Sequence, residues 1–148
     1  MRQLLLAKRR KQPIPEDSKD PTLTDIEHSL NMANALDAVP ADDLDAMAEI
    51  FGSDFPELAS LFQADSQKRI AALYQAAAQG DYAEMIRLAH VFSGSASSMG
   101  ASYLAFLCKT FEAQIQSGLF TDLEPRLQAI EAEYARTDNR LQLLLKAV

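Results

Sequence analysis

The chain has 148 residues, a formal net charge of −7 at pH 7 and one cysteine, Cys108. That length allows one domain with a sizeable apolar core, and a lone cysteine excludes an internal disulfide, so a reducing compartment, the cytoplasm, is expected. The acidic balance argues against a nucleic-acid surface, which needs clustered Lys and Arg, and no sequence spacing or apolar run offers a metal site, a signal-peptide core or a membrane span.

Residues 1–35 read as a tail and linker. Arg2, Lys8, Arg9, Arg10, Lys11 and Lys19 outweigh Glu16, Asp17 and Asp20, and the three prolines of residues 12–22 interrupt any periodicity. Leu23, Ile26, Leu30 and Ala33 form one weak helical stripe, and His28 within it has no partner pattern. Residues 36–148 read as the folded domain, in which Gly52, Gly80, Gly100 and Gly118 separate segments whose apolar residues recur at three and four. Ala, Leu, Glu, Gln and Lys fill these segments, and hairpin signals are missing, so helix is favoured over strand throughout.

Asp42 or Asp43 is expected to cap a short helix ending at Phe51. The next helix starts at Ser53 or Asp54, tolerates Pro56 in its first turn and runs to Gly80. Asp81 caps a third helix that ends at Met99-Gly100, and Leu104, Leu107, Cys108, Phe111 and Ile115 give the fourth a clean stripe closed by Gly118. The last opens on Thr121-Asp-Leu-Glu124, a capping box, and carries Leu127, Ile130, Tyr134 and Leu141. Four long amphipathic helices on such short connections pack as an all-α, antiparallel up-down-up-down four-helix bundle, with the short helix capping one end and an N-terminal extension before it.

On the third helix, at about 100° per residue, Met85, Leu88, Ala89, Phe92, Ala96 and Met99 share an arc of roughly 120°. His90 lies about 170° from the centre of that arc and faces outward. Its neighbours one turn away are Ile86, Arg87, Ser93 and Gly94, with Ser97 two turns on. Glycine inside a helix costs about 1 kcal/mol relative to alanine, and Gly94 faces away from the core beside His90. A surface cleared of side chains there, with Ile86, Gly94 and Ser97 around the histidine, reads as a docking site for a second protein.

These residues resemble a known family. Ala89-His90, Phe92 and Gly94-Ser95-Ala96, then Gly100-Ala101, Leu104, Cys108 and Phe111-Glu112, are similar to the motif of histidine-containing phosphotransfer (HPt) domains of two-component phosphorelays. Leu36-Asp37 and Phe62-x-x-Asp65 with Arg69 extend the likeness over about residues 36–146. The resemblance implies a phosphoryl group carried on His90, received from a receiver-domain aspartate and passed to another receiver. It implies that Glu112 orients His90 through the other ring nitrogen, and that the partners are response-regulator receivers or a hybrid sensor histidine kinase. Mg²⁺ would come with the receiver, and the chain itself would be a monomeric stoichiometric carrier with no cofactor. In keeping with that, the sequence contains no phosphate-binding glycine loop of a nucleotide site. One position departs from the motif: Ser93 stands where the family has a lysine beside the phosphoryl group. A hydroxyl can donate to a phosphoryl oxygen but brings no charge, so Arg87 or Lys109 would have to supply it. The alternative is a degenerate HPt-like module that docks receivers without accepting phosphate.

Overall fold

The computed structural model describes residues 41–147, so the basic tail, the proline-rich linker, the Leu23–Ala33 stripe, His28 and Leu36-Asp37 lie outside the described residues. Within them a short helix α1 (Leu44–Phe51) leads through a 3₁₀ turn (Gly52–Asp54) into α2 (Phe55–Gln79). Then follow α3 (Tyr82–Met99), α4 (Ser102–Gln116) and α5 (Leu123–Ala147), and no strand occurs among the described residues. In this all-α up-down-up-down bundle α3 packs between α2 and α4, α5 packs between α4 and α2, and α1 lies against α2 and α5.

The core follows the expected stripes. Phe55, Ala59, Phe62, Ile70 and Leu73 of α2 meet Met85, Leu88, Phe92 and Ala96 of α3, Leu104, Cys108 and Phe111 of α4, and Leu127, Ile130 and Leu141 of α5. Each fully buried Phe, Leu or Met contributes about 1.5–3 kcal/mol by leaving water. One level of this core is polar: Ser66 on α2 and Thr137 on α5 are buried, and neither hydroxyl has a hydrogen-bond partner.

The helix ends show where local rules held and where packing replaced them. Gly80 closes α2 at φ 67° and Gly100 closes α3 at φ 84°, each returning its N–H to the last turn as a left-handed cap. The Asp81 carboxylate accepts from the Glu84 N–H at 3.1 Å, the expected cap of α3. Neither candidate cap of α1 acts as one: Asp43 sits at the N-cap position without a side-chain bond, and the Asp42 carboxylate accepts from the Tyr103 N–H at 3.1 Å, capping the distant α4. The Asp43 N–H donates to the Gly100 carbonyl at 2.7 Å. A Cβ at Gly100 would stand 2.8 Å from the Asp43 carbonyl oxygen, so glycine is required there by contact as well as by φ. The second helix begins at Phe55 with Asp54, one of the two expected starts, at its N-cap position, although Asp54 makes no side-chain capping bond.

The Thr121–Glu124 capping box does not form. The helix starts at Leu123, and Asp122 before it has φ 55°, so Glu124 falls one position early for a box opened by Thr121. Arg126 organises this turn instead, donating to the carbonyls of Leu119, Thr121 and Asp122 and to the Gln114 side chain.

Candidate functional site

His90 lies midway along α3 on the face opposite Phe92 and Met85, and its side chain is 66% exposed. The ring has one side-chain partner among the described residues. Its Nδ1 is 3.2 Å from Oε2 and 3.4 Å from Oε1 of Glu112, whose own side chain on the adjacent α4 is only 15% exposed. A carboxylate accepts and does not donate, so this pairing favours the tautomer with the proton on Nδ1 and leaves Nε2 as the available lone pair. Beside the ring, Gly94 and Ser97 are exposed and Ile86 is half-buried. A Cβ built on Gly94 meets nothing within 4 Å, so no intramolecular contact accounts for the glycine. Val91, which the periodicity did not single out, is 38% exposed next to His90. A β-branched apolar residue on the outer half of a helix is the signal that would have marked it.

The three residues considered as sources of charge or hydrogen bonds are placed differently from one another. Ser93 is buried at 3% exposure, and its hydroxyl donates to the His90 carbonyl at 2.8 Å, so it is turned onto the backbone and away from the outer face. The reason is the direction of α4: Ser93 lies about 60° round α3 from His90, on the flank that α4 covers. Arg87 is exposed but folds back on Glu84, with Nε and Nη2 at 2.8 Å and 2.6 Å from the two carboxylate oxygens. That pairing raises the Arg87 guanidinium and holds the Glu84 carboxyl below its usual range, and it turns the guanidinium toward Glu84. Lys109 is exposed on α4, one turn before Glu112. The helices run antiparallel, and stepping three residues forward from His90 on α3 matches stepping three back from Glu112 on α4. Lys109 is therefore level with Ser93.

An exposed, carboxylate-oriented imidazole on a bare stretch of a four-helix bundle is now joined by direct comparison. The Hpt domain family model matches residues 57–140, more than half of the chain, including α3 and α4 entire. The chain belongs to the Hpt domain family. Its fold is similar to the crystal structure of histidine-containing phosphotransfer protein B from Pseudomonas aeruginosa PAO1, with 27% identity and a TM-score of 0.68 over 75% of this chain and 99% of that one. No curated protein sequence matches it. Members of this family are phosphoryl carriers of phosphorelays that act with receiver domains and kinases. Among the described residues no group of three or more His, Cys, Asp or Glu could hold a metal ion, and no helix is long and apolar enough to cross a membrane.

Proposed function

We propose that His90 is the phosphoryl acceptor of a stoichiometric carrier, taking the group from a receiver-domain aspartyl phosphate and returning it to another receiver. The observation that carries this reading is the exposed imidazole paired through Nδ1 with Glu112, which leaves Nε2 without a protein partner among the described residues. In the transfer the Nε2 lone pair attacks phosphorus, the N–P bond forms as the acyl-phosphate P–O bond breaks, and the aspartate leaves as carboxylate. The Nδ1 proton stays on the ring, where the Glu112 carboxylate offsets the positive charge that develops. In the neutral ring with its proton on Nδ1, the Nε2 lone pair is the nucleophile and no separate base is needed. Phosphoryl transfer depends chiefly on positioning and charge neutralisation, and an exposed, fixed ring supplies the first. The receiver brings the Mg²⁺ that serves the second.

The phosphorylated ring places about two further negative charges beside Glu112. Lys109 is the better-placed counter-charge on this chain, because it lies level with the serine that replaces the motif lysine, whereas Arg87 is engaged by Glu84. Ile86, Gly94 and Ser97 form the docking ground around the ring. Purified protein incubated with a phosphorylated receiver is expected to gain an acid-labile, base-stable label that His90→Gln abolishes; a label surviving that substitution would move the acceptor elsewhere.

The second reading, a degenerate module that binds receivers without taking phosphate, draws on one observation. Ser93 has neither the motif's charge nor a hydroxyl aimed at the ring. Receiver binding by the wild type without any label would establish it.

A further inference from the structure

Two helical turns below His90 the same seam between α3 and α4 ends in an aromatic pair. Tyr82 opens α3 eight residues before His90, Phe120 follows α4 eight residues after Glu112, and their rings stack at 3.8 Å between centroids and 8° between planes. Tyr82 is half-buried, but Phe120 remains 42% exposed, one of five exposed large apolar side chains among the described residues.

The loop that presents Phe120 is tied down by one side chain, Arg126. Arg126 donates through Nη2 to the carbonyls on both sides of it, Leu119 at 2.8 Å and Thr121, through Nε to the Asp122 carbonyl at 3.3 Å, and through Nη1 to the Gln114 side chain at 2.9 Å. Its guanidinium lies 5.5 Å over the Phe111 ring, and the turn holds Asp122 at φ 55°. An exposed aromatic ring on a loop braced in this way carries the marks of a binding hot spot: a large apolar contact with little conformational freedom left to lose.

We infer that the Tyr82–Phe120 pair, braced by Arg126, is the apolar anchor with which this chain seats a receiver domain whose aspartate faces His90. The inference rests on the receiver-docking reading above and names a further part of that surface. Distance favours this occupant: eight helical residues span about 12 Å, whereas an interface of standard size covers about 800 Å² per partner, a disc reaching roughly 16 Å from its centre. Tyr82 lies about 80° round α3 from His90, toward α4, so a receiver centred on His90 and extending over the α3–α4 seam reaches the pair.

The test uses the full chain and a panel of receivers from the encoding genome, with binding measured on each receiver held activated by beryllofluoride and Mg²⁺ and labelling measured separately with the same receivers phosphorylated. Phe120→Ala is expected to weaken receiver binding about tenfold or more and to slow receiver-dependent labelling in proportion, while Phe120→Tyr stays within about twofold of wild type. Labelling of His90 by phosphoramidate, a small donor that needs no docking, should remain unchanged in both. Binding by Phe120→Ala within twofold of wild type overturns the anchor and leaves the carrier reading intact. A loss of binding in a chain that phosphoramidate never labels, even as wild type, supports the anchor and overturns the carrier reading. A wild type that binds no receiver overturns both.

Discussion

Substituting Gly94 by alanine separates what α3 needs for its own stability from what its surface needs for a partner. The position is in the interior of a helix, and a Cβ there meets nothing within 4 Å, so no clash offsets the gain in helix propensity. That gain is about 1 kcal/mol, from the smaller backbone entropy lost on folding. For a folded unit of roughly a hundred residues it raises the thermal midpoint by about 4 °C. Far-UV circular dichroism during heating and urea titration measures the stability, and the rate of label transfer from a phosphorylated receiver measures docking. Gly94→Ala is expected to be more stable and slower in receiver-dependent transfer, with labelling by phosphoramidate unaltered. Gly100→Ala is the control of opposite sign: φ 84° and a Cβ 2.8 Å from the Asp43 carbonyl oxygen should make it less stable by about 2 kcal/mol or more. A destabilised Gly94→Ala would refute the open-space argument, and a stabilised variant with unchanged transfer would refute partner approach as the reason for the glycine.

Three further outcomes follow from the coordinates. Ser66→Ala and Thr137→Val remove buried hydroxyls that have no partner, so urea denaturation should find each variant as stable as wild type or up to about 1 kcal/mol more stable; a clear loss would mean that the hydroxyls are satisfied in solution. Burial pushes the Cys108 thiol up to about 12, so native protein at pH 8 should react with a thiol reagent only as fast as it opens, and should react at once in denaturant. Because the folded state keeps this proton more tightly, the stability tied to it is fully present below the unfolded thiol pKa of about 9 and is lost as pH rises toward 12; a stability flat across that range would count against the burial. Lys109→Ala should shorten phosphohistidine lifetime or slow uptake severalfold while Arg87→Ala does neither; the reverse order would assign the counter-charge to Arg87.

Periodicity, caps and glycines were enough to read the helices, the bundle and the outward direction of His90. These are properties of single helices: a stripe repeating at three and four defines a core face, and a glycine that must adopt positive φ, as Gly80 and Gly100 do, ends a helix wherever it packs. Glu112 came through the family motif rather than through geometry, because its approach to the imidazole depends on the register between α3 and α4, which neither helix contains. Ser93 shows the limit most plainly. A wheel places it 60° from His90 but cannot say on which flank the next helix lies, and that flank decides whether its hydroxyl meets a phosphoryl group or the backbone. The ends of α1 and α5 went the same way: Asp42 caps α4 across the bundle, and Arg126 replaces the Thr121 box by binding carbonyls that only the folded turn brings together. Local sequence determined the elements and their apolar faces because those energies depend on residues within a turn or two of one another; the donors, acceptors and charges at the site were decided by tertiary packing, which alone sets distances between residues far apart in the chain.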